Sequence, residues 1–388
     1  MLKISFKSSL LLSAKMATLV LLSACSTQLA NPNEVSINAG SDLQSTAGID
    51  SEPIVVEKLD RAGLICTDKE LLCVGVVTGA GGINDQSLNQ FAWEGAQRAE
   101  FDLNAQVEHI EITDARDSAM SIKHFAEQDY DIIVTVGFSL RNVTLQMAQE
   151  YPSIDFIGVD QSNNSDEVTN LAGLVFPNTA IGFLSGALAA MVSKTKVVGV
   201  VLGPHASLSS GTFNQGFRSG VSAINQDIEV MSIYYPGKIT ESYNDPEWGA
   251  QTAQFMLAGG ADVIAAAAGH TGDGALIEIA SNSNAFCIGV DTDQWIALPE
   301  AQSCLVSSAT KQIADGVFQL IAFSLLEKMP QGNYTGRVEL APFHQYEEFF
   351  PSDVKQVLID LNTGLVDGSI STGGSYIYQD PPTVLIKR

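Results

Sequence analysis

Positive charge is scarce in this chain: 20 Lys and Arg stand against 44 Asp and Glu in 388 residues, a formal net charge of −24. The acids are spread along the chain rather than gathered in one run. A body so acidic repels nucleic-acid backbones, which argues against DNA or RNA as a partner. Long apolar runs are also missing. Beyond the N-terminal leader, no stretch reaches the ~18 uncharged apolar residues that a membrane-spanning helix needs. Catalytic signatures are absent too: there is no G-x-S-x-G elbow, no H-E-x-x-H and no G-x-x-x-x-G-K-[ST] phosphate loop. Gly79-Ala80-Gly81-Gly82 follows a strand but lacks the third glycine of a dinucleotide loop at the required spacing, so it reads as room for close approach of a ligand. The five histidines (109, 124, 205, 270 and 344) are scattered. The chain therefore reads as a protein without a catalytic centre, metal or cofactor.

The leader MLKISFKSSLLLSAKMATLVLLSAC carries Lys3, Lys7 and Lys15 ahead of an apolar run, Met16 to Leu22, that is too short to span a bilayer. It ends in Leu22-Ser23-Ala24-Cys25, which resembles the lipobox of bacterial lipoproteins. That resemblance implies cleavage after residue 24 and lipid modification of Cys25. Residues 25–57, rich in Ser, Asn, Thr, Gly and acids, cannot bury enough surface to offset their ordering entropy and read as a flexible tether. The body is thus expected outside the cytoplasm, held to a bacterial membrane only by its lipid.

Apart from Cys25, the cysteines are Cys66, Cys73, Cys287 and Cys304, an even number in an oxidising compartment. Four cysteines allow three pairings. Cys66 and Cys73 bracket a short polar turn, and Cys287 and Cys304 open successive strands, which favours bridges 66–73 and 287–304, with buried free thiols as the alternative. Neither pair has zinc-ligand spacing, and no histidines recur beside them.

From residue 71, short β-branched runs alternate with amphipathic ones. Strands are expected at 72–78, 107–112, 131–137, 155–159, 197–202, 230–235, 263–267 and 286–290. Helices are expected at 86–100, 118–128, 141–150, 181–193, 212–225, 247–258, 274–282 and 311–328. This alternation implies βαβ crossovers and parallel sheets covered by helices on both faces. Ligands of such folds gather beyond the carboxyl ends of the strands. The candidate site is therefore 79–84, 137–139, Asp160, 203–205, 269–274 and 291–293. His205 and His270 are at strand ends, and Asp291 and Asp293 suit hydrogen bonding to ligand hydroxyls better than acid–base work.

The residues Gly82-Ile83-Asn84-Asp85-Gln86-Ser87-Leu88-Asn89-Gln90-Phe91-Ala92-Trp93-Glu94-Gly95 resemble the G-x-[DN]-D-K-S-F-N-Q-x-A-W-x-G signature of the basic membrane protein (BMP) family. These are lipoprotein substrate-binding components of ABC transporters that include the purine nucleoside receptor A group. Further blocks follow in family order: Val136 to Phe138, Tyr151 to Asp160, Gly186 to Ala190 with Ser193-Lys194-Thr195, Tyr243-Asn244-Asp245-Pro246, Gly259 to Ile264, Ala266 to Gly272, Ile288 to Asp291 and Ser307 to Lys311. The resemblance covers roughly 72–328.

It implies an α/β type I periplasmic-binding-protein fold, two doubly wound parallel-sheet lobes joined by three crossing segments. The N-terminal lobe is expected to hold 58–176 plus 292–328, and the C-terminal lobe 177–291 plus 329–388. The resemblance also implies capture of a nucleoside, a purine nucleoside first, for an ABC permease and its ATPase, by a monomer with no enzymatic activity. Asn84, Asp85 and Asn89 would meet base edges or sugar, Tyr243 would stack on the base, Gly269 would let backbone approach, and Asp291 with Lys311 would hold ribose hydroxyls. Asp160 and His270 complete the set. Gln86 and Leu88 replace the family's Lys and Phe, so Trp93 or Phe138 would have to supply a second plate. Core packing is the equal reading for both. A ligand-sensing receptor, or a binder of riboflavin or a sugar, is the alternative function. A nucleoside hydrolase would need an acid cluster or metal site that the sequence does not display.

Overall fold

The computed structural model describes residues 34–37, 54–57, 64–68, 71–79, 82–238, 241–282, 284–372, 378–379, 381–382 and 384–387. The leader, Cys25, Ala80 and Gly81 lie outside these described residues.

Two six-stranded sheets organise the body. The first is built from β1 (Cys73–Thr78), β2 (Gln106–Glu111), β3 (Ile132–Val136), β4 (Asp155–Val159) and β5 (Leu171–Val175). The second is built from β6 (Val197–Pro204), β7 (Glu229–Tyr235), β8 (Val263–Ala267), β9 (Phe286–Asp291) and β10 (Leu305–Lys311). Two late strands, β11 (Gly332–Thr335) and β12 (Val338–Leu340), add one edge to each. The orders are β11-β5-β4-β3-β1-β2 and β12-β10-β9-β8-β6-β7. Every pair is parallel except β12 on β10, which is antiparallel.

Strands β1 and β3 are buried at every position. Their mostly β-branched runs, CVGVVT and IIVTV, suit a sheet with helices on both faces. In the first lobe α2 (Ser118–Ala126) and α3 (Arg141–Glu150) cover one face, with Phe125 and Met147 in its core. In the second, α6 (Pro246–Ala258) and α7 (His270–Asn282) do the same with Met256 and Leu276. A larger core joins the other faces to α1 (Leu88–Asp102), α4 (Asn178–Val192), α5 (Leu208–Ile224) and α8 (Ile313–Leu325).

Helix α4 is buried along nearly its whole length, and its apolar residues run all round the helix. It meets α5 backbone to backbone: a Cβ added to Gly186 would approach Phe217 O to 2.0 Å, and one added to Gly216 would approach Thr179 O to 2.0 Å. Gly186→Val should therefore destabilise the body by about 1–3 kcal/mol through overpacking. The expected result is a lower urea midpoint, and an unchanged midpoint would contradict this close approach.

Disulfides join Cys66 to Cys73 and Cys287 to Cys304, each pair at the amino ends of strands.

Two boundaries differ from the sequence expectation. Within the expected tether 25–57, Glu34–Ile37 and Ile54–Glu57 are strands that pair with Val384–Lys387 in a three-stranded sheet. Short β-branched runs there find a matching apolar tail. The lobe assignment also shifts. Residues 292–311 stay with the second sheet, because β10 pairs with β9, and the chain crosses only after Lys311. It returns between β11, in the first sheet, and β12, in the second, so 329–335 belongs to the first lobe. The short β9–β10 connection keeps neighbours together, which strand periodicity alone cannot reveal.

Candidate functional site

Each lobe reverses its strand order beside its first strand, between β1 and β3 and between β6 and β8. The carboxyl ends there form the crevice of a doubly wound sheet. At the centre of the site lies Lys311, the last residue of β10, with its side chain only 8 % exposed. Its Nζ is 3.3 Å from Asp160 Oδ1 at the end of β4 and 3.2 Å from Asp291 Oδ1 at the end of β9. One carboxylate comes from each lobe. Burial pulls the ammonium pKa down, but Asp160 and Asp291 more than offset this, so the net shift is upward. A buried cation held this way stays charged. The carboxylates keep 33 % and 41 % side-chain exposure, so each has lone pairs free for donors in the cleft. Both aspartates have left-handed backbone, φ 57° and 68°, which turns the chain sharply at the strand end.

Tyr243 stands in the turn before α6. Asp245 fixes this turn: its Oδ1 accepts from Trp248 N at 3.0 Å, its Oδ2 accepts from Tyr235 OH at 2.9 Å, and its own N donates to Thr271 Oγ1 at 2.8 Å. With Pro246 opening the helix, this is an N-cap in which the proline's missing N–H costs nothing. The Tyr243 ring lies against Gly203, where a Cβ would come within 2.8 Å of Cε1, and a Cβ added to Gly269 would come within 3.1 Å of Tyr243 O. Tyr243 OH donates to Ser207 Oγ at 3.3 Å. The ring is thus set between the ends of β6 and β8, at the second lobe's crevice. Gly269 has φ 55°, a conformation that strains other residues. His270 is 76 % exposed at its side chain, with Nδ1 2.9 Å from Asp273 Oδ2.

On the first lobe, Asn89 is buried. Phe138 follows Gly137 (φ 98°) at the end of β3 and is 75 % exposed, an apolar plate open to solvent. Asn84 is exposed. The structure directs other expected residues elsewhere. Asp85 accepts from Ser87 N (2.8 Å), Asn89 N (3.3 Å) and Gln90 N (3.0 Å), so its carboxylate caps α1. Trp93 lies against the His109 ring on edge strand β2, at a centroid distance of 5.6 Å. Asp293 Oδ1 accepts from Trp295 N and its Oδ2 lies 2.7 Å from His344 Nε2, which leaves it little capacity for ligand hydroxyls. His205 tilts against Tyr234 at 4.8 Å.

The equivalence of the two lobes was missed in the sequence. Ile157-Gly158-Val159-Asp160 recurs as Ile288-Gly289-Val290-Asp291, and that repeated tetrapeptide marks both grips on Lys311. Among the described residues no group of three or more His, Cys, Asp or Glu is arranged to hold a metal ion. A separate cavity of about 640 Å³, lined by Leu184, Leu340, Phe343, Leu358 and Ile359 among others, contains none of the candidate residues.

The family described as "ABC transporter substrate-binding protein PnrA-like" matches residues 73–334, which take in both sheets up to β11. The chain belongs to this family. Its members are solute-binding proteins, and no helix among the described residues is long and apolar enough to cross a membrane. A Lactococcus lactis protein named "ABC transporter nucleoside-binding protein BmpA" is 30 % identical over 246 residues, 61 % of this chain and 68 % of that protein. A Listeria monocytogenes protein named "CD4+ T-cell-stimulating antigen" is 29 % identical over 233 residues, 57 % of this chain, and the match spans only 63 % of that protein's length. Basic membrane protein A1 of Borrelia garinii is 26 % identical, covering 75 % of this chain and 85 % of that one.

Solved structures agree on the fold. An ABC transporter solute-binding protein from Aeropyrum pernix superposes with a TM-score of 0.61 at 22 % identity, covering 77 % of this chain and 92 % of that one. One from Conexibacter woesei gives 0.62 at 20 %, covering 77 % and 98 %. The family member described here has the α/β, type I periplasmic-binding-protein fold.

Proposed function

We propose that this substrate-binding protein captures a nucleoside, a purine nucleoside first, in the cleft between its lobes and delivers it to an ABC permease and its ATPase. The observation that carries the reading is Lys311, buried between one aspartate from each lobe while both carboxylates keep an open side. Vicinal hydroxyls suit that pair: each donates to a carboxylate whose charge is already balanced from behind. Tyr243, seated at the second lobe's crevice, offers a face for a base, and Phe138, at the end of β3 in the first lobe, offers an exposed plate. The name of the Lactococcus relative, 30 % identical, points the same way. The protein works as a lipid-anchored monomer outside the cytoplasm, with Cys25 carrying the acyl chains.

A thermal-shift panel of purine and pyrimidine nucleosides, free bases, riboflavin and simple sugars tests the proposal. A ligand at a hundred times its Kd stabilises the folded state by about 2.7 kcal/mol, so a binder stands out clearly. Purine nucleosides should raise the melting temperature most. Stabilisation by a sugar or riboflavin alone, with none from any nucleoside, would discard the nucleoside reading and leave the solute-binding role in place. Mass determination of membrane-extracted protein, with and without alkaline hydroxylamine, tests the anchor. A mature species beginning at residue 25 with added acyl mass is the expected result.

A further inference from the structure

The two lobes grip Lys311 with the same device, and each grip has a glutamine behind it. In the second lobe, Gln294 Oε1 accepts from Val290 N at 2.8 Å, immediately before Asp291. Its Nε2 donates to Asp273 Oδ1 at 2.8 Å, at the first turn after the Gly269 loop. Its backbone N donates to Ser308 Oγ at 3.1 Å on β10, the strand that ends in Lys311. One residue thus ties the first turn of α7, the end of β9 and the middle of β10 together. In the first lobe, Gln161 directly follows Asp160, and its Nε2 lies 3.2 Å from Thr135 O, 3.1 Å from Thr135 Oγ1 and 3.0 Å from Gly137 O. That ties the end of β4 to the end of β3, beside Phe138. Both glutamines lie over the glycine of the repeated tetrapeptide. A Cβ on Gly158 would meet Gln161 Oε1 at 2.8 Å, and one on Gly289 would meet Gln294 Oε1 at 2.6 Å.

We propose that Gln161 and Gln294 are matching positioning residues, each locking its lobe's aspartate turn to the neighbouring strand end so that the two carboxylates meet Lys311. The glycine of each repeat is the space the glutamine occupies. An αL aspartate turn is costly in isolation and persists where its surroundings over-determine it; these side chains supply that determination. The argument rests on the Asp160–Lys311–Asp291 group being the ligand's seat, so its test includes a readout that needs no ligand.

That readout is reductive methylation of Lys311 in the full-length, ligand-free protein, followed by peptide mass spectrometry, with Lys196 (59 % exposed) as an internal standard. Lys311 should react far more slowly than Lys196. Gln294→Glu keeps the acceptor for Val290 N but sets two carboxylates against each other at Asp273, and should speed Lys311 methylation about tenfold. Adding Asp273→Asn restores the bond with its direction reversed, the new amide donating to the carboxylate now at position 294 while its oxygen still faces His270, and should return the rate to near wild type. Asp273→Leu removes the same acceptor from the other side and should expose Lys311 if Gln294→Glu does not fold. Gln161→Glu should act likewise in the first lobe.

A lowered melting temperature with Lys311 still protected would mean the glutamines only stabilise the fold, and would overturn the proposal. So would failure of Asp273→Asn to restore protection in a folded double variant. Calorimetric titration with guanosine and inosine should follow the same pattern. If wild-type protein binds neither, the nucleoside reading fails while the methylation result still decides the positioning role.

Discussion

Lys311→Met is expected to weaken nucleoside binding at least about a hundredfold, equivalent to roughly 2.7 kcal/mol. The lysine is bonded to one aspartate from each lobe, and it is almost fully buried. Its loss leaves two carboxylates facing each other across the cleft, with water reaching each from the open side. The fold itself should lose about 2 kcal/mol, less than the ~3–5 typical when one partner of a fully buried ion pair is removed, because that water access relieves part of the penalty. The main loss is of closure: repulsion where the lobes meet favours their separation. Small-angle scattering should show a larger radius of gyration for the ligand-free variant. An affinity within threefold of wild type would remove Lys311 from the site.

Tyr243→Ala has the second-largest expected effect. Stacking of a base on an aromatic ring contributes roughly 1–3 kcal/mol, so affinity should fall by about 5-fold to 150-fold. The ring is held by Gly203, Ser207 and Gly269, all at crevice-lining strand ends, so it is placed before any ligand arrives. Tyr243→Phe isolates the hydroxyl: it keeps the face, loses only a 3.3 Å bond to Ser207 and should bind within threefold of wild type. If Tyr243→Ala bound nucleosides as well as wild type, the base would have to lie against the first lobe, with Phe138 the plate to test next.

Strands β4 and β8 were legible residue for residue, because Asp155–Val159 and Val263–Ala267 are apolar runs bounded by turn residues. Strands β5, β11 and β12 were not. LAGLV carries a central glycine, GNYT is mostly polar, and VEL is three residues long, so each is a strand only because a sheet edge was there to receive it. Helix α9 (Ser352–Val366) lies beyond the last block with a recognisable pattern. In the site, Asp291 and Lys311 could be read from family-ordered blocks. The tie between Lys311 and Asp160 spans 151 positions and exists only once two lobes are folded. Asp85 shows a use the signature did not display: the acid four residues ahead of Asn89 is a helix cap.

The disulfide between Cys66 and Cys73 has a mechanical consequence. A force applied to the chain at Cys66 passes through the covalent loop straight to the first residue of β1. That strand runs through the interior of its sheet, flanked by β2 and β3, and is loaded along its length, so its ladders of hydrogen bonds resist in shear and not one at a time. The load enters at the end of β1 opposite Thr78 and the crevice. A load entering at Cys66 would therefore strain the amino end of β1, while Thr78 at its other end, beside the crevice, stays unloaded.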